Sequence, residues 1–458
     1  MFDDKAPIVA QATAFGRSGV GIVRVSGSIE DVDAIAKRYF ENQAPLKPRY
    51  AHLRVFKDAA GATLDEGLAL YFPAPRSYTG ETVLELQAHG GPVVLNMLVK
   101  ALLEIGRPYG LRLAQPGEFT KRAFLNGKID LSQAESVADM IDAGSESAVR
   151  AATRSLTGEF SHKIHELTDD LIDLRAHVEA LIDFPEEDID DLALVRIKER
   201  LKGCQERFTA IYKASRQGSM LREGVTVVLV GSPNVGKSSL MNALSGEDIA
   251  IVTEVAGTTR DRIENTVSIE GVPVRLVDTA GLRETEDRVE KVGIERTFDI
   301  IGKADIIIRI TDASEEVDNE EGNRILKEIV TRVGRRVPVI EVVNKVDKVK
   351  GTSNFEGLPI SAATGEGLED LRQTILRLAG WEQSDENIYL ARERHLQNLQ
   401  EAGEHIDTAV AIAESELPVL ELLAEELRLA ADALGEIVGE TPTEDLLGMI
   451  FSRFCIGK

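Results

Sequence analysis

The sequence predicts a multidomain chain: an N-terminal α+β domain, then a discontinuous all-α helical domain with an α/β module inserted between its two halves. Three patterns carry that reading. Short Val- and Leu-rich runs bounded by turn residues fill the first 118 positions. Leucines at three- and four-residue steps dominate two later stretches. Between those stretches, strand-like apolar runs each end in a polar signature. The boundaries fall at 1–118, 119–222, 223–380 and 381–458.

In the first domain, residues 7–13, 19–26, 51–56, 67–72 and 82–87 read as strands, and 29–37 and 92–103 as helices. From about residue 115 to 222 the pattern is helical, with Ile164, Leu167, Leu171, Leu174, Val178 and Leu181 on one face. The same spacing returns at Leu417, Leu420, Leu423, Leu427, Ala431, Leu434 and Val438. Neither stretch closes a bundle alone, so the two are expected to pack as one domain, two separate helical subdomains being the other arrangement. The acidic run 183–191 reads as a solvated loop or a partner contact.

The inserted module carries the chemistry. Residues 225–230 (VTVVLV) predict a buried parallel strand and 239–245 a helix; between them Gly231 to Ser238 reads GSPNVGKS. Strand, glycine-rich turn and helix are the context of a phosphate-binding loop. Glycines let successive N–H groups wrap a polyphosphate, and the helix N-terminus adds its positive dipole end. Asn234, Val235, Gly236, Lys237, Ser238 and Ser239 form this contact set, Lys237 on the outer phosphates and Ser238 on Mg²⁺. Asp278, Thr279, Ala280 and Gly281 follow the run 274–277; such an aspartate can hold Mg²⁺ through water, and the glycine N–H can sense a γ-phosphate. Asn344, Lys345 and Asp347 follow the run 338–343, where a carboxylate accepts both N1–H and N2–H of guanine, which adenine cannot offer. Ser361, Ala362 and Ala363 follow 358–360 and suit a backbone contact to guanine O6. Four signatures at four strand ends predict a GTP site. This segment resembles the translation-factor-related branch of P-loop GTPases.

Two positions refine the reading. Leu282 stands where many small GTPases place a water-orienting glutamine, and a leucine cannot orient water. The amide oxygen of Asn234 can hold a monovalent cation near the β/γ-phosphate bridge, doing the work of an arginine finger; its other role is to stabilise the turn. In the loop 253–261, Thr253, Val255 and Thr258 can add oxygens around a K⁺-sized ion, and Thr259 is the threonine assigned to the Mg²⁺ shell.

The chain has 458 residues, 43% hydrophobic, with a formal net charge of −24. That charge opposes broad, non-specific nucleic-acid binding, though not a local basic patch or a partner that handles nucleic acid. Two cysteines, Cys204 and Cys455, exclude a disulfide framework and a cysteine metal cluster. No secretory h-region and no membrane-length apolar run occurs, so a soluble, cytoplasmic protein is expected.

Further motifs lie outside the module: PRSYTGE at 75–81, LELQAHGGP at 84–92, QPGEFTKRAFLNGKIDL at 115–131 and the ending FCIGK. With the inserted GTPase they resemble the MnmE (TrmE) family of tRNA uridine-modification GTPases over essentially the whole chain. Thr82 departs from the acidic residue expected there. The resemblance implies a tetrahydrofolate-binding-like N-terminal domain that dimerises, and a GTPase that K⁺ activates when two such domains meet. It implies an FAD-dependent partner of the MnmG (GidA) type, hence a heterotetramer, acting on tRNA through the complex. The implied product carries a carboxymethylaminomethyl group on C5 of the wobble uridine, U34. It also implies a catalytic carboxylate beyond Leu282, best matched by Glu290, with Glu284 and Glu286 as nearer alternatives. For 5-formyltetrahydrofolate or a related folate, it implies Arg24, Glu85, Lys128 and Lys458. On the residues alone, Arg24 can be a surface group and Glu85 an ion pair within the sheet. Cys455 reads as a reactive thiol or a small apolar anchor, and His89 as a turn residue or a catalyst. A ribosome-assembly GTPase is the competing reading; it predicts a basic segment after residue 380, where Glu414, Glu416, Glu421, Glu425 and Glu426 stand instead. A GTP-gated scaffold without turnover is the other.

Overall fold

The computed structural model describes residues 5–183, 191–245, 264–278, 302, 304–314, 327, 331, 337–349, 355–382, 388–440, 442–452, 454 and 456–457. The chain falls into two units. One joins Met1–Ala138 to Gly435–Lys458, and the other is Asp139–Leu434.

In the first unit, strands β1 (Ile8–Gln11), β2 (Ser18–Gly27), β3 (His52–Lys57), β4 (Thr63–Phe72), β5 (Thr82–Gly90) and β6 (Arg112–Leu113) pair in the order β3-β4-β5-β2-β1-β6. All pairs are antiparallel except β1 with β6. Period-two alternation decides which side chains enter the core. Val23 and Val25 are wholly buried, as are Leu84 and Leu86, so Arg24 and Glu85 between them point to the other face, in register. The buried side packs against helices Ile29–Tyr39 and Pro92–Gly106 through Val32, Ile35, Leu95, Leu98 and Leu102. The first helix is capped by Ser28, whose hydroxyl accepts Asp31 N–H; the second begins at Pro92, where a missing N–H costs nothing.

Strand β4 starts four residues before the run expected from sequence. Its extra residues include Asp65, which accepts the backbone N–H of His89 and meets its ring at 2.8 Å. His89 is thus an exposed cross-strand partner. The chain ending returns to this unit: Phe451 and Phe454 pack with Leu131 and Ala134, and Ile456 bridges Pro116. A Cβ on Gly457 would lie 2.0 Å from the Gln11 carbonyl.

The second unit carries helices Glu146–Leu156, Glu159–Asp183, Asp191–Glu223 and Glu393–Glu414 around a second sheet. Its strands are β7 (Val225–Val230), β8 (Glu264–Ile269), β9 (Val272–Asp278), β10 (Ile306–Asp312), β11 (Val339–Asn344) and β12 (Leu358–Pro359). They run β12-β11-β10-β7-β9-β8, parallel except for the β8–β9 hairpin. Strands β7 and β10 are near-continuous apolar runs, as strands buried on both faces must be. Strands β6, β8 and β10 were not anticipated from the sequence.

One helical expectation is corrected. Leu417 precedes the helix Leu420–Val438 and is 88% exposed. Pro418 disfavours helical backbone at the residue before it, so the leucine spacing overran the helix start. Where helix meets sheet, the buried carboxylate of Asp139 receives Arg222 at 2.9 Å and Arg392 at 2.8 Å. Those arginines sit just before β7 and at the start of the helix Glu393–Glu414, the entry and exit of the sheet module.

Candidate functional site

The loop Gly231–Gly236 turns from the end of β7 into the helix Lys237–Ser245. Two of its residues fix its shape. Asn234 adopts a left-handed conformation, φ 68°, and Gly236 has φ 99° with no room for a side chain, since a Cβ would lie 2.3 Å from the Asn344 amide nitrogen. Lys237 is buried and its ammonium donates to the carbonyls of Gly231 at 2.7 Å and Ser232 at 3.1 Å. The ammonium is therefore held against the backbone of the first two residues of the loop. Ser238 and Ser239 are exposed at the first helical turn.

The second loop comes from β11. Asn344 is 1% exposed and bridges two segments: its amide donates to the Val235 carbonyl at 2.9 Å and its carbonyl oxygen accepts Ala362 N–H at 3.0 Å. Lys345, also left-handed at φ 67°, donates to the Asn234 carbonyl at 2.7 Å. Asp347 is exposed and accepts the hydroxyl of buried Ser361 at 2.6 Å. Ala362 and Ala363 follow in the turn after β12. Asp278 closes β9, paired with Leu229. The phosphate loop, the Asn344–Asp347 loop and the Ser361–Ala363 turn thus converge at the C-terminal ends of parallel strands, where ligands of open α/β sheets bind.

Thr253, Val255, Thr258, Thr259, Thr279, Ala280, Gly281, Leu282, Glu284, Glu286, Glu290, Cys455 and Lys458 lie outside the described residues. Sequence reasoning missed Asp312, which ends β10 and meets the Lys345 ammonium at 2.5 Å. Burial alone would raise its carboxyl, but Lys345 and Ser314 outweigh that and hold it below the usual carboxylate range. An acidic residue closing the apolar run Ile306–Asp312 was the available signal.

A second polar cluster lies on the open face of the first sheet. Arg24 Nε donates to Glu85 Oε1 at 2.7 Å, with both side chains mostly covered. The guanidinium also lies 5.7 Å from the ring centroids of Tyr78 and of Phe119, a cation–π arrangement. Burial pushes the Tyr78 phenol up, partly offset by Thr120 and Arg24. Lys128 is exposed, and its stem lies beside Gly80 in the turn that follows Tyr78. The structure thus joins Arg24 to Glu85 directly.

Two family models match: the GTP-binding protein TrmE N-terminus over residues 7–128 and the MnmE helical domain over residues 131–455. The chain is 50% identical to a Burkholderia thailandensis protein named tRNA modification GTPase MnmE, covering 99% of each chain. Proteins of that name from Dechloromonas aromatica and Bordetella parapertussis are 51% and 52% identical over 98% and 99% of this chain. The chain belongs to the MnmE family. This family's named activity agrees with the converging loops described above. Among solved structures, Aquifex aeolicus Era bound to GDP·AlF₄⁻ is 28% identical, with a TM-score of 0.28, and the likeness covers 42% of this chain and 69% of that one. Among the described residues, no helix is long and apolar enough to cross a membrane.

Proposed function

We propose that this chain is a GTP hydrolase of tRNA modification. The observation that carries the reading is Asn344, which ties the phosphate loop to the turn after β12 and so assembles one nucleotide pocket from three separate strand ends. Lys237 neutralises the outer phosphates, and Asp347, steadied by Ser361, reads guanine. The oxygen donors Ser238 and Asp278 suit a hard divalent ion, and with Thr259 they would hold Mg²⁺, which screens the phosphate charge during transfer. Asn234, exposed in its left-handed turn, presents an amide oxygen that suits K⁺, with Thr253, Val255 and Thr258 completing that shell. Glu290 is the carboxylate proposed to orient water.

The finer reading follows the family resemblance. Two copies bring their GTPase modules together, K⁺ stimulates hydrolysis, and an FAD-dependent MnmG-type partner joins in a heterotetramer in the cytoplasm. Together they add a carboxymethylaminomethyl group to C5 of wobble uridine. The Arg24–Glu85 pair, with Lys128 and Lys458, is proposed to hold a tetrahydrofolate: cations for its carboxylates, Glu85 for the NH groups of the pterin. The helical segments 119–222 and 381–458 are proposed to form one domain around the GTPase at 223–380.

Nucleoside analysis of tRNA from cells lacking the protein tests this. Loss of the C5 group at the wobble uridine is expected, with restoration by the parent gene but not by a Lys237→Ala variant. An unchanged wobble uridine overturns the reading.

A further inference from the structure

Asp312 closes β10, the strand that lies between β7, bearing the phosphate loop, and β11, bearing Asn344 and Lys345. Its side chain is 4% exposed. One carboxylate oxygen meets the Lys345 ammonium at 2.5 Å; the other accepts Ser314 N–H at 2.9 Å and the Ser314 hydroxyl at 2.6 Å. Lys345 then reaches the Asn234 carbonyl at 2.7 Å. Both Lys345 and Asn234 occupy left-handed backbone, which residues with side chains hold only when their surroundings over-determine it.

A lysine ammonium is a mobile point charge on a four-carbon stem. A buried anion with its other oxygen already fixed removes that freedom. We propose that Asp312 is a positioning residue for nucleotide retention: by holding Lys345 on the Asn234 carbonyl, it locks the base-recognition loop to the phosphate loop. The two loops then grip opposite ends of one nucleotide, and opening either requires breaking the Asp312–Lys345–Asn234 chain. This rests on the phosphate loop being the nucleotide site, and not on the cation or guanine assignments.

The test is release of mant-GDP from the full-length chain, followed by stopped flow. Asp312→Asn keeps the size and the Ser314 contacts but removes the charge. Losing a charge-assisted bond of this kind is expected to speed release by about tenfold or more. Ser314→Ala, which keeps the Ser314 N–H bond to Asp312 and the Asp312 charge, should speed release less than Asp312→Asn does. The double variant Asp312→Asn/Lys345→Met should be no faster than Lys345→Met alone, because Asp312 acts through Lys345. Parent-like release from Asp312→Asn, or effects that multiply in the double variant, overturns the proposal. Should Asp312→Asn alone fail to fold, comparing Lys345→Met with the double variant decides the question by the same criterion. A parent that does not bind mant-GDP sinks the nucleotide-site reading as well, whereas a binding parent with multiplying effects sinks only this proposal.

Discussion

Asn344 donates to the Val235 carbonyl at 2.9 Å from a position that is 1% exposed, so the base loop and the phosphate loop share a buried hydrogen bond. Truncating it leaves the Val235 carbonyl and the Ala362 N–H unpaired. Each buried unpaired group costs about 1–3 kcal/mol. Asn344→Ala should therefore weaken GTP binding by at least about tenfold, measured by titration calorimetry. Undiminished affinity would show that the bridge does not organise the pocket.

The cation reading places a monovalent ion beside Asn234. Hydrolysis by the parent should be faster in K⁺ than in Na⁺ at equal ionic strength, and removing one transition-state charge contact typically lowers turnover about 10²-fold or more. Asn234→Ala should abolish the difference while keeping nucleotide binding, because the backbone carbonyl that Lys345 contacts remains. Equal parent rates in both salts at saturating GTP sink the idea.

The Ser361 hydroxyl orients Asp347, whose exposed carboxylate retains free acceptor sites. Asp347→Asn turns one acceptor into a donor and should shift preference toward xanthine nucleotides. Discrimination built on buried polar pairing reaches about 10⁴-fold. Competition between GTP and XTP measures it, and a variant that still prefers GTP as the parent does refutes the assignment.

Arg24 sits between two aromatic rings and Glu85, so its guanidinium is held in place before any ligand arrives. Arg24→Ala should lose binding of 5-formyltetrahydrofolate, read by fluorescence titration, while GTP hydrolysis persists. The paired variant Glu85→Gln should retain the fold and weaken the same ligand. Folate binding that survives both changes would mark the pair as a cross-strand ion pair alone.

Glu118 supplies a pH test in the N-terminal unit. Burial alone would raise its carboxyl, yet bonds from Arg112, the Gln115 N–H and Arg122 hold it below the usual range. A depressed folded value means its stabilisation is complete above the unfolded carboxylate pKa, about 4.3, and fades as pH falls through the folded value. The melting-temperature gap between parent and Glu118→Gln should be widest near neutrality and narrow progressively as the pH falls below about 4.3. A gap that does not change with pH contradicts this.

The loops proposed to hold the nucleotide were legible because their parts are local. A phosphate loop is eight consecutive residues between a strand and a helix, and each further signature sits immediately after its own apolar run. Asp312 was not legible, since its meaning depends on β10 being inserted between β7 and β11, a pairing the chain order does not disclose. Leu417 shares the leucine spacing but not the helix, because Pro418 disfavours helical backbone at the residue before it.

By itself the sequence determined the α+β, helical and α/β character of its segments and the family, and it named the candidate residues of the two loops proposed for phosphate and base, because glycine placement, side-chain period and local motifs act over a few residues. Only the tertiary structure decided that Arg24 meets Glu85, that Asn344 spans two loops, and that the chain ending returns to Gln11 and Pro116. Those contacts join residues up to several hundred positions apart, and they depend on strand register and packing, which no local pattern encodes.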